Sequence, residues 1–233
     1  MGTANYQERR SQLKTYFDRT AVEAWARLTS TAPVGRVRAT VRAGRDNMRA
    51  TLLSYLPDDL QGRQVLDAGC GTGAFSVEAA RRGAAVTAID LSPTLVELAR
   101  ERLPAHLGEG SIDFRTGDMS DATLGEFDHV VAMDSLIHYR AGDVVRVLAG
   151  IAQRTRRSIV FTFAPKTVAF EILRAVGALF PRGDRAPAIE PVAERALRQA
   201  LAAEPLLRGW RVGRTQLITS GFYKSHAMEL TRS

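Results

Sequence analysis

The chain has 233 residues, 45% of them apolar, and carries a formal net charge of +7. That length supports one domain with a sizeable core. No apolar run reaches membrane-spanning length, the N-terminal MGTANYQERR has no apolar core of a secretory signal, and the lone cysteine, Cys70, excludes an internal disulfide or a cysteine zinc cluster. A cytoplasmic protein with acidic partners is expected: a polyanion, an anionic membrane surface or a carboxylate-bearing substrate. Six arginines (27, 36, 38, 42, 45, 49) against the single acid Asp46 make the first basic cluster.

Residues 7–28 are predicted to form an amphipathic helix with Leu13, Tyr16, Phe17, Ala21, Ala24, Trp25 and Leu28 on its apolar stripe. A turn-rich break follows at 29–35. Helical periodicity resumes from Val37 to Leu56 and ends at Pro57, Asp58 and Asp59. Residues 1–60 therefore form a helical arm, which either covers the active site or packs on the outside of a sheet. Residues 61–233 form the main domain.

The stretch Gln64–Asp90 organises that domain. Val65 and Leu66 lead to Asp67, glycines follow at Gly69, Gly71 and Gly73, a helical pattern runs from Ala74 to Arg82, and a second apolar run ends at Asp90. The order is strand, glycine turn, helix, strand, acid: the first βαβ unit of a nucleotide-binding half-sheet. Asp90 lies 21 residues after Gly69, where a carboxylate can accept the ribose hydroxyls. The glycines run G-x-G-x-G rather than the dinucleotide spacing G-x-G-x-x-G. A pyrophosphate would be repelled by Asp67, whereas a cofactor carrying an ammonium and a sulfonium would tolerate it.

Ser92 and Pro93 start the next helix, which runs to about Leu103. Ile112–Arg115 is the third strand, followed by Thr116-Gly-Asp118-Met119. Asp128 opens a fourth strand, His129–Met133, which ends in Asp134-Ser-Leu-Ile-His138-Tyr139. A helix from Ala141 to Gln153 and a fifth, apolar strand from Ser158 to Phe163 follow, then Ala164-Pro165-Lys166-Thr167. Val168–Phe180 has helical period and is mostly apolar; with its flanks it makes a helical insertion at about 165–190. Another helix is expected at Pro191–Ala203. Two last strands, Trp210–Thr219 and Phe222–Thr231, flank a hairpin turn at Ser220-Gly221. The sum is an α/β fold with a Rossmann-like, seven-stranded, mostly parallel sheet, helices between the first five strands and an antiparallel C-terminal hairpin.

Ligands in such sheets bind beyond the carboxyl ends of the strands. The candidates are therefore Asp67, Asp90, Asp118, Met133–Tyr139 and Ala164–Thr167. Among the histidines, His106 falls in a loop and His129 and His226 inside strands, which leaves His138 as the acid/base candidate for catalysis or substrate contact. No aromatic-plus-basic stacking surface is evident. A small-molecule substrate is expected rather than nucleic acid.

Asp67-Ala-Gly-Cys-Gly-Thr-Gly73 resembles the first motif of class I S-adenosylmethionine-dependent methyltransferases. That resemblance implies S-adenosylmethionine (SAM) as cofactor, held by Asp67, Gly69, Gly71, Gly73, Asp90, Leu91, Asp118, Met119 and Met133. Asp118 would take the exocyclic amine of the adenine. Leu136-Ile-His138-Tyr139 and Phe163-Ala-Pro-Lys166-Thr167 narrow the resemblance to the magnesium-protoporphyrin IX O-methyltransferases of (bacterio)chlorophyll synthesis. Tyr16-Phe17, Trp25, Val41-Arg42-Ala-Gly44, Leu179-Phe180-Pro181 and Phe222-Tyr223 are similar too. Two departures stand out. Thr29 replaces a residue that is often aromatic, and Arg182-Gly-Asp-Arg185 replaces a Thr-Arg-x-Tyr-x-His stretch.

The resemblance implies methyl transfer from SAM to one propionate carboxylate of magnesium-protoporphyrin IX, with magnesium present only in the substrate and no protein metal site. His138 would orient the acceptor oxygen. Tyr16, Arg38, Arg42, Tyr139, Lys166 and Arg185 are the substrate-binding candidates; arginine forks suit the second, unmethylated propionate. A porphyrin-carrying subunit of magnesium chelatase and loose association with a membrane surface are implied partners. The alternatives are methylation of a quinone or phenol, a SAM-binding protein without turnover and, third, an RNA methyltransferase.

Overall fold

Short, largely buried runs make the central strands. β1 (Gln64–Ala68), β2 (Ala85–Asp90), β3 (Ser111–Thr116), β4 (Phe127–Ala132) and β5 (Thr155–Phe163) are all parallel. Every residue of β4 is buried, as a parallel strand covered on both faces requires. β7 (Tyr223–Arg232) pairs antiparallel with β5, and β6 (Trp210–Ser220) pairs with β7 at the edge. The strand order is β3-β2-β1-β4-β5-β7-β6. The order reverses between β1 and β4, so the ligand crevice is predicted there. This computed structural model describes residues 4–16, 18, 35–166 and 189–233. Thr29, Trp25, Arg185 and the expected Val168–Phe180 helix lie outside them.

The described helices are α1 (Ala4–Thr15), α2 (Arg36–Ser54), α3 (Ala74–Arg81), α4 (Pro93–Glu101), α5 (Ala141–Ala152) and α6 (Glu194–Ala203). They cover the sheet on two sides, in two apolar clusters. One gathers β4 and β5 side chains with α5, α6 and α1; the other gathers α2, α3 and α4 with β1 and β2. α4 begins where its sequence says. The Ser92 hydroxyl accepts the Leu95 N–H at 3.2 Å, and Pro93 takes the first helical position.

Three expectations need correction. No helix joins β3 to β4; a single 3-10 turn, Ala122–Leu124, capped by Asp121, spans the short gap. α6 starts at Glu194 and not at Pro191. Pro165 and Val192 form a parallel bridge instead: Val192 N–H donates to Ala164 O at 2.8 Å and Lys166 N–H to Val192 O at 3.0 Å. Those bonds hold Pro191 and Val192 extended. The first helix starts at Ala4 and not at residue 7, and is regular to Thr15 with wider, π-type turns at Tyr16 and Asp18; residues 19–28 of the expected helix lie outside the described ones. Among the described residues no helix is long and apolar enough to cross a membrane.

Candidate active site

The glycine loop leaves β1 and folds over the end of β2. Gly69 and Cys70 both donate their N–H to Ile89 O, at 2.8 and 3.0 Å. Gly69, Gly71 and Gly73 all have positive φ. At Gly69 the need is double: a Cβ would collide with the Ser135 side chain from the loop after β4. The first turn of the cofactor motif and the turn after β4 therefore touch, at the point where the strand order reverses. The Ser135 hydroxyl is buried there without a hydrogen-bond partner. Cys70 is buried, and burial raises its thiol pKa well above the ordinary value. It behaves as a small packing residue.

The acids sit at the strand ends. Asp67 is buried and accepts the Ser76 hydroxyl at 2.6 Å; burial pushes its pKa up to about 7, opposed by that hydrogen bond. Asp90 accepts Gly71 N–H at 2.9 Å and Ser92 N–H at 3.0 Å, and burial raises its pKa despite those donors. Ile89 and Met119 belong to the first apolar cluster, and Leu91, next to Asp90 in the chain, packs against it. Met133 is half-buried and packs against the other cluster.

Asp118 is engaged more fully than the sequence suggests. Oδ1 accepts Tyr6 OH at 3.0 Å and both the N–H and the hydroxyl of Ser120 at 2.8 Å; Oδ2 accepts Arg10 Nη1 at 2.6 Å. A carboxylate offers about four acceptor positions. Burial raises the Asp118 pKa, but the Ser120 N–H and Arg10 outweigh it and hold the group below the ordinary range.

These contacts lay α1 across the carboxyl ends of the strands. Tyr6 stacks on Tyr139, with ring centroids 5.0 Å apart, and Arg9 pairs with Glu190 at 2.7 Å. Beyond α1, Asp18 accepts the Thr94 hydroxyl at 2.6 Å at the start of α4. Tyr139 and Tyr6 are both buried, and burial lifts both phenol pKa values far above the ordinary range. Neither ionises in the physiological range.

His138 lies in the turn between β4 and α5 and is buried. The turn is fastened by Leu136 in the core, by Tyr139 N–H on Leu136 O at 3.1 Å and by Glu190 N–H on Ile137 O at 2.9 Å. His129, in contrast, sits at the start of β4, away from the site. Its Nδ1 is 2.7 Å from Ser158 Oγ, and burial lowers its pKa to about 4.

The substrate candidates scatter. Tyr16 is half-buried just after α1, Arg38 is exposed on α2, Arg42 is half-buried one turn on, and Lys166 is exposed. Arg185 lies outside the described residues. The arginine of α2 that reaches the strand ends is Arg45, which pairs with Asp134 at 2.6 Å. Sequence reasoning missed Tyr6, Arg10 and Arg45 as site residues; Asp134 and Ser135 fell within the Met133–Tyr139 stretch it named, but without a role. A mid-helix glycine, Gly44, is the signal that could have drawn attention to Arg45, because glycine costs about 1 kcal/mol inside a helix.

Comparison with known proteins agrees with this geometry. The family profile "Magnesium-protoporphyrin IX methyltransferase C-terminus" matches residues 132–232, and a general methyltransferase domain matches 65–158. The magnesium-protoporphyrin O-methyltransferase of Rhodobacter capsulatus is 52% identical over 227 residues, covering 97% of this chain and 98% of its own. The chloroplastic magnesium protoporphyrin IX methyltransferase of Arabidopsis thaliana is 33% identical over 93% of this chain and 69% of its own. A crystal structure of magnesium protoporphyrin IX methyltransferase from Synechocystis PCC 6803 with bound SAH superposes with a TM-score of 0.81, at 29% identity, over 96% of this chain and all of that one. The chain belongs to the magnesium-protoporphyrin IX O-methyltransferase family of SAM-dependent enzymes.

Proposed function

We propose that this chain transfers a methyl group from SAM to a propionate carboxylate of magnesium-protoporphyrin IX, giving the monomethyl ester in (bacterio)chlorophyll synthesis. The observation that carries the reading is the full-length likeness to the Rhodobacter capsulatus enzyme, joined to a glycine loop and strand-end acids in the right order. The residues present fit the cofactor. The buried Ser135 hydroxyl has no protein partner beside Gly69, and the half-buried Asp90 carboxylate ends β2, followed directly by Leu91, which packs against the apolar cluster that holds Met119. Gly69, Gly71, Gly73, Asp67, Asp90, Leu91, Asp118, Met119 and Met133 would hold it. When bound, SAM supplies an electrophilic methyl.

The acceptor needs little activation. A propionate has a reference pKa of roughly 4–5 by analogy with Glu and is the anion at neutral pH. The protein's work is orientation and exclusion of water, and orientation alone supplies up to ~7–11 kcal/mol. His138 directs the acceptor oxygen by a hydrogen bond. α1 is the cover; because Tyr6, Arg10 and Ser120 already fill the acceptor positions of Asp118, the adenine amine would take the place of one of those donors. Tyr16, Arg38, Arg42, Tyr139, Lys166 and Arg185 are the proposed porphyrin contacts. Handover from a chelatase subunit and loose attachment to a membrane surface belong to the same reading.

The test is incubation with SAM and magnesium-protoporphyrin, read by mass. One added methyl on the porphyrin is expected; transfer only to a phenol or quinone, or binding of SAM without transfer to any acceptor, would refute it. His138→Ala should then lower turnover by roughly 10²-fold. His138→Asn, which keeps a donor, should retain part of the rate. If Asn is no better than Ala and neutral imidazole is required, His138 is a general base and the acceptor is an alcohol or phenol.

A further inference from the structure

Asp134, the first residue after Met133, has φ +54°, and among the described residues it is the only non-glycine with positive φ. Aspartate tolerates this left-handed turn better than most side chains, but holding it still requires support. The support comes from three elements. Arg45 of α2 donates to Oδ2 at 2.6 Å; Tyr223 OH of β7 lies 3.1 Å from both oxygens; Ser225 Oγ of β7 donates to Oδ1 at 3.1 Å and Thr162 Oγ1 of β5 at 3.2 Å. The Asp134 N–H in turn donates to Thr162 Oγ1 at 2.7 Å.

Gly44 explains how Tyr223 reaches this point. A Cβ on Gly44 would stand 2.5 Å from Tyr223 Cδ1 and 2.9 Å from its Cβ and Cγ. The ring thus crosses α2 where a side chain is missing. The Arg42-Ala-Gly44 and Phe222-Tyr223 blocks, far apart in the sequence, meet on the residue that opens the Asp134–Tyr139 turn. Burial, and then the Asp134 charge, raise the Tyr223 pKa, so the phenol stays protonated and donates.

With four side-chain donors, the Asp134 carboxylate has no acceptor position left for a substrate proton. Its effect is transmitted through the backbone. Ser135 is pressed against Gly69, and His138 follows within the same fastened turn. We infer that Asp134, clamped by Arg45 and Tyr223, is a positioning residue that fixes His138 relative to the cofactor loop. The inference rests on the role given to His138 above.

The test uses the full-length chain with SAM and magnesium-protoporphyrin. Tyr223→Phe removes one donor and keeps the ring; Gly44→Ala displaces the ring. Each should lower kcat by about 10-fold to 10²-fold while the Kd for SAM, measured by calorimetry, changes less than about threefold. Arg45→Lys should retain more rate than Arg45→Met. Combining Tyr223→Phe with His138→Ala should be no slower than His138→Ala alone, because the clamp acts through that side chain. Unchanged kcat in Tyr223→Phe and Gly44→Ala, or losses that multiply independently in the double variant, would overturn the clamp and leave the His138 reading standing. A full rate in His138→Ala alone would instead sink the His138 reading itself.

Discussion

α1 and α2 both precede the sheet, and they are held in opposite ways. α2 buries Met48, Leu52 and Leu53, and its exit buries Tyr55 and Leu56. It packs on β6 and β7, where Arg214 donates to Ser54 O and Tyr55 O, stands 4.5 Å from the Tyr55 ring centroid and pairs with Glu229 at 2.7 Å. α1 buries only Tyr6 and Leu13 among its described side chains. Its other ties are Arg9–Glu190 and Arg10–Asp118, and the Arg10 side chain is 38% exposed. Both pairs are part-buried; surface ion pairs stabilise by about 0–1 kcal/mol, whereas each fully buried aliphatic side chain stabilises by about 1.5–3 kcal/mol. One helix is a wall of the fold; the other lies over the strand ends with fewer buried side chains, so it is expected to open without unfolding the rest.

Truncation should separate the two most sharply. Removing residues 1–30 should leave a cooperatively folding sheet and lower turnover by about 10²-fold or more, the scale set by loss of orientation at a site. Removing residues 1–60 should leave no cooperative thermal transition, since the second apolar cluster then loses α2. Melting followed by circular dichroism, with methyl transfer measured in parallel, checks both. A 1–60 truncation that melts like the intact chain would erase the distinction. So would a 1–30 truncation with full turnover and SAM affinity.

Single cavities sharpen the same contrast at smaller scale. Met48→Ala should lower global stability by about 2–5 kcal/mol, as for a fully buried core side chain. Leu13→Ala, although Leu13 is as buried as core residues, should lower it by less than about 1 kcal/mol, because α1 can open before the globule unfolds. Urea titrations give both numbers. Equal losses would mean that α1 unfolds with the core and is no separate cover.

The sheet was legible because its strands are apolar runs closed by acids or polar turns, and because Ser92-Pro93 and Ser220-Gly221 are local signals that tertiary context did not override. The errors came where long-range backbone pairing decides. Pro191 reads as a helix start, but the bridge from Val192 to Pro165 claims it for extended structure. Of the candidate site, the glycine loop, Asp90, Asp118 and His138 could be named from order along the chain. The meeting of Arg45 and Tyr223 on Asp134, itself within the named Met133–Tyr139 stretch, could not, since residues 45, 134 and 223 have no local pattern in common and come together only when α2, β4 and β7 are assembled. Tyr6 and Arg10 were hidden for the same reason: their partner, Asp118, lies more than a hundred residues away.

The smallest expected effect concerns acid. Asp118 joins α1 to β3 and its pKa lies below the ordinary 3.8, because the Ser120 N–H and Arg10 outweigh its burial. For a carboxylate with a depressed folded pKa, the stabilisation is complete above the ordinary pKa and is lost as pH falls through the folded one. Arg10 stays charged throughout, and Tyr6, whose pKa burial raises, remains a phenol. The attachment of α1 should therefore be constant between pH 5 and 8 and weaken only below about pH 4. Hydrogen exchange of the α1 amides, corrected for the intrinsic pH dependence of exchange, measures this directly. Asp118→Asn should reproduce the acid state at neutral pH, lowering α1 protection while the amides of α2 keep theirs. A loss of α1 protection near pH 6 would place its control on a histidine and not on Asp118; parallel losses in α1 and α2 would join the two helices into one unit.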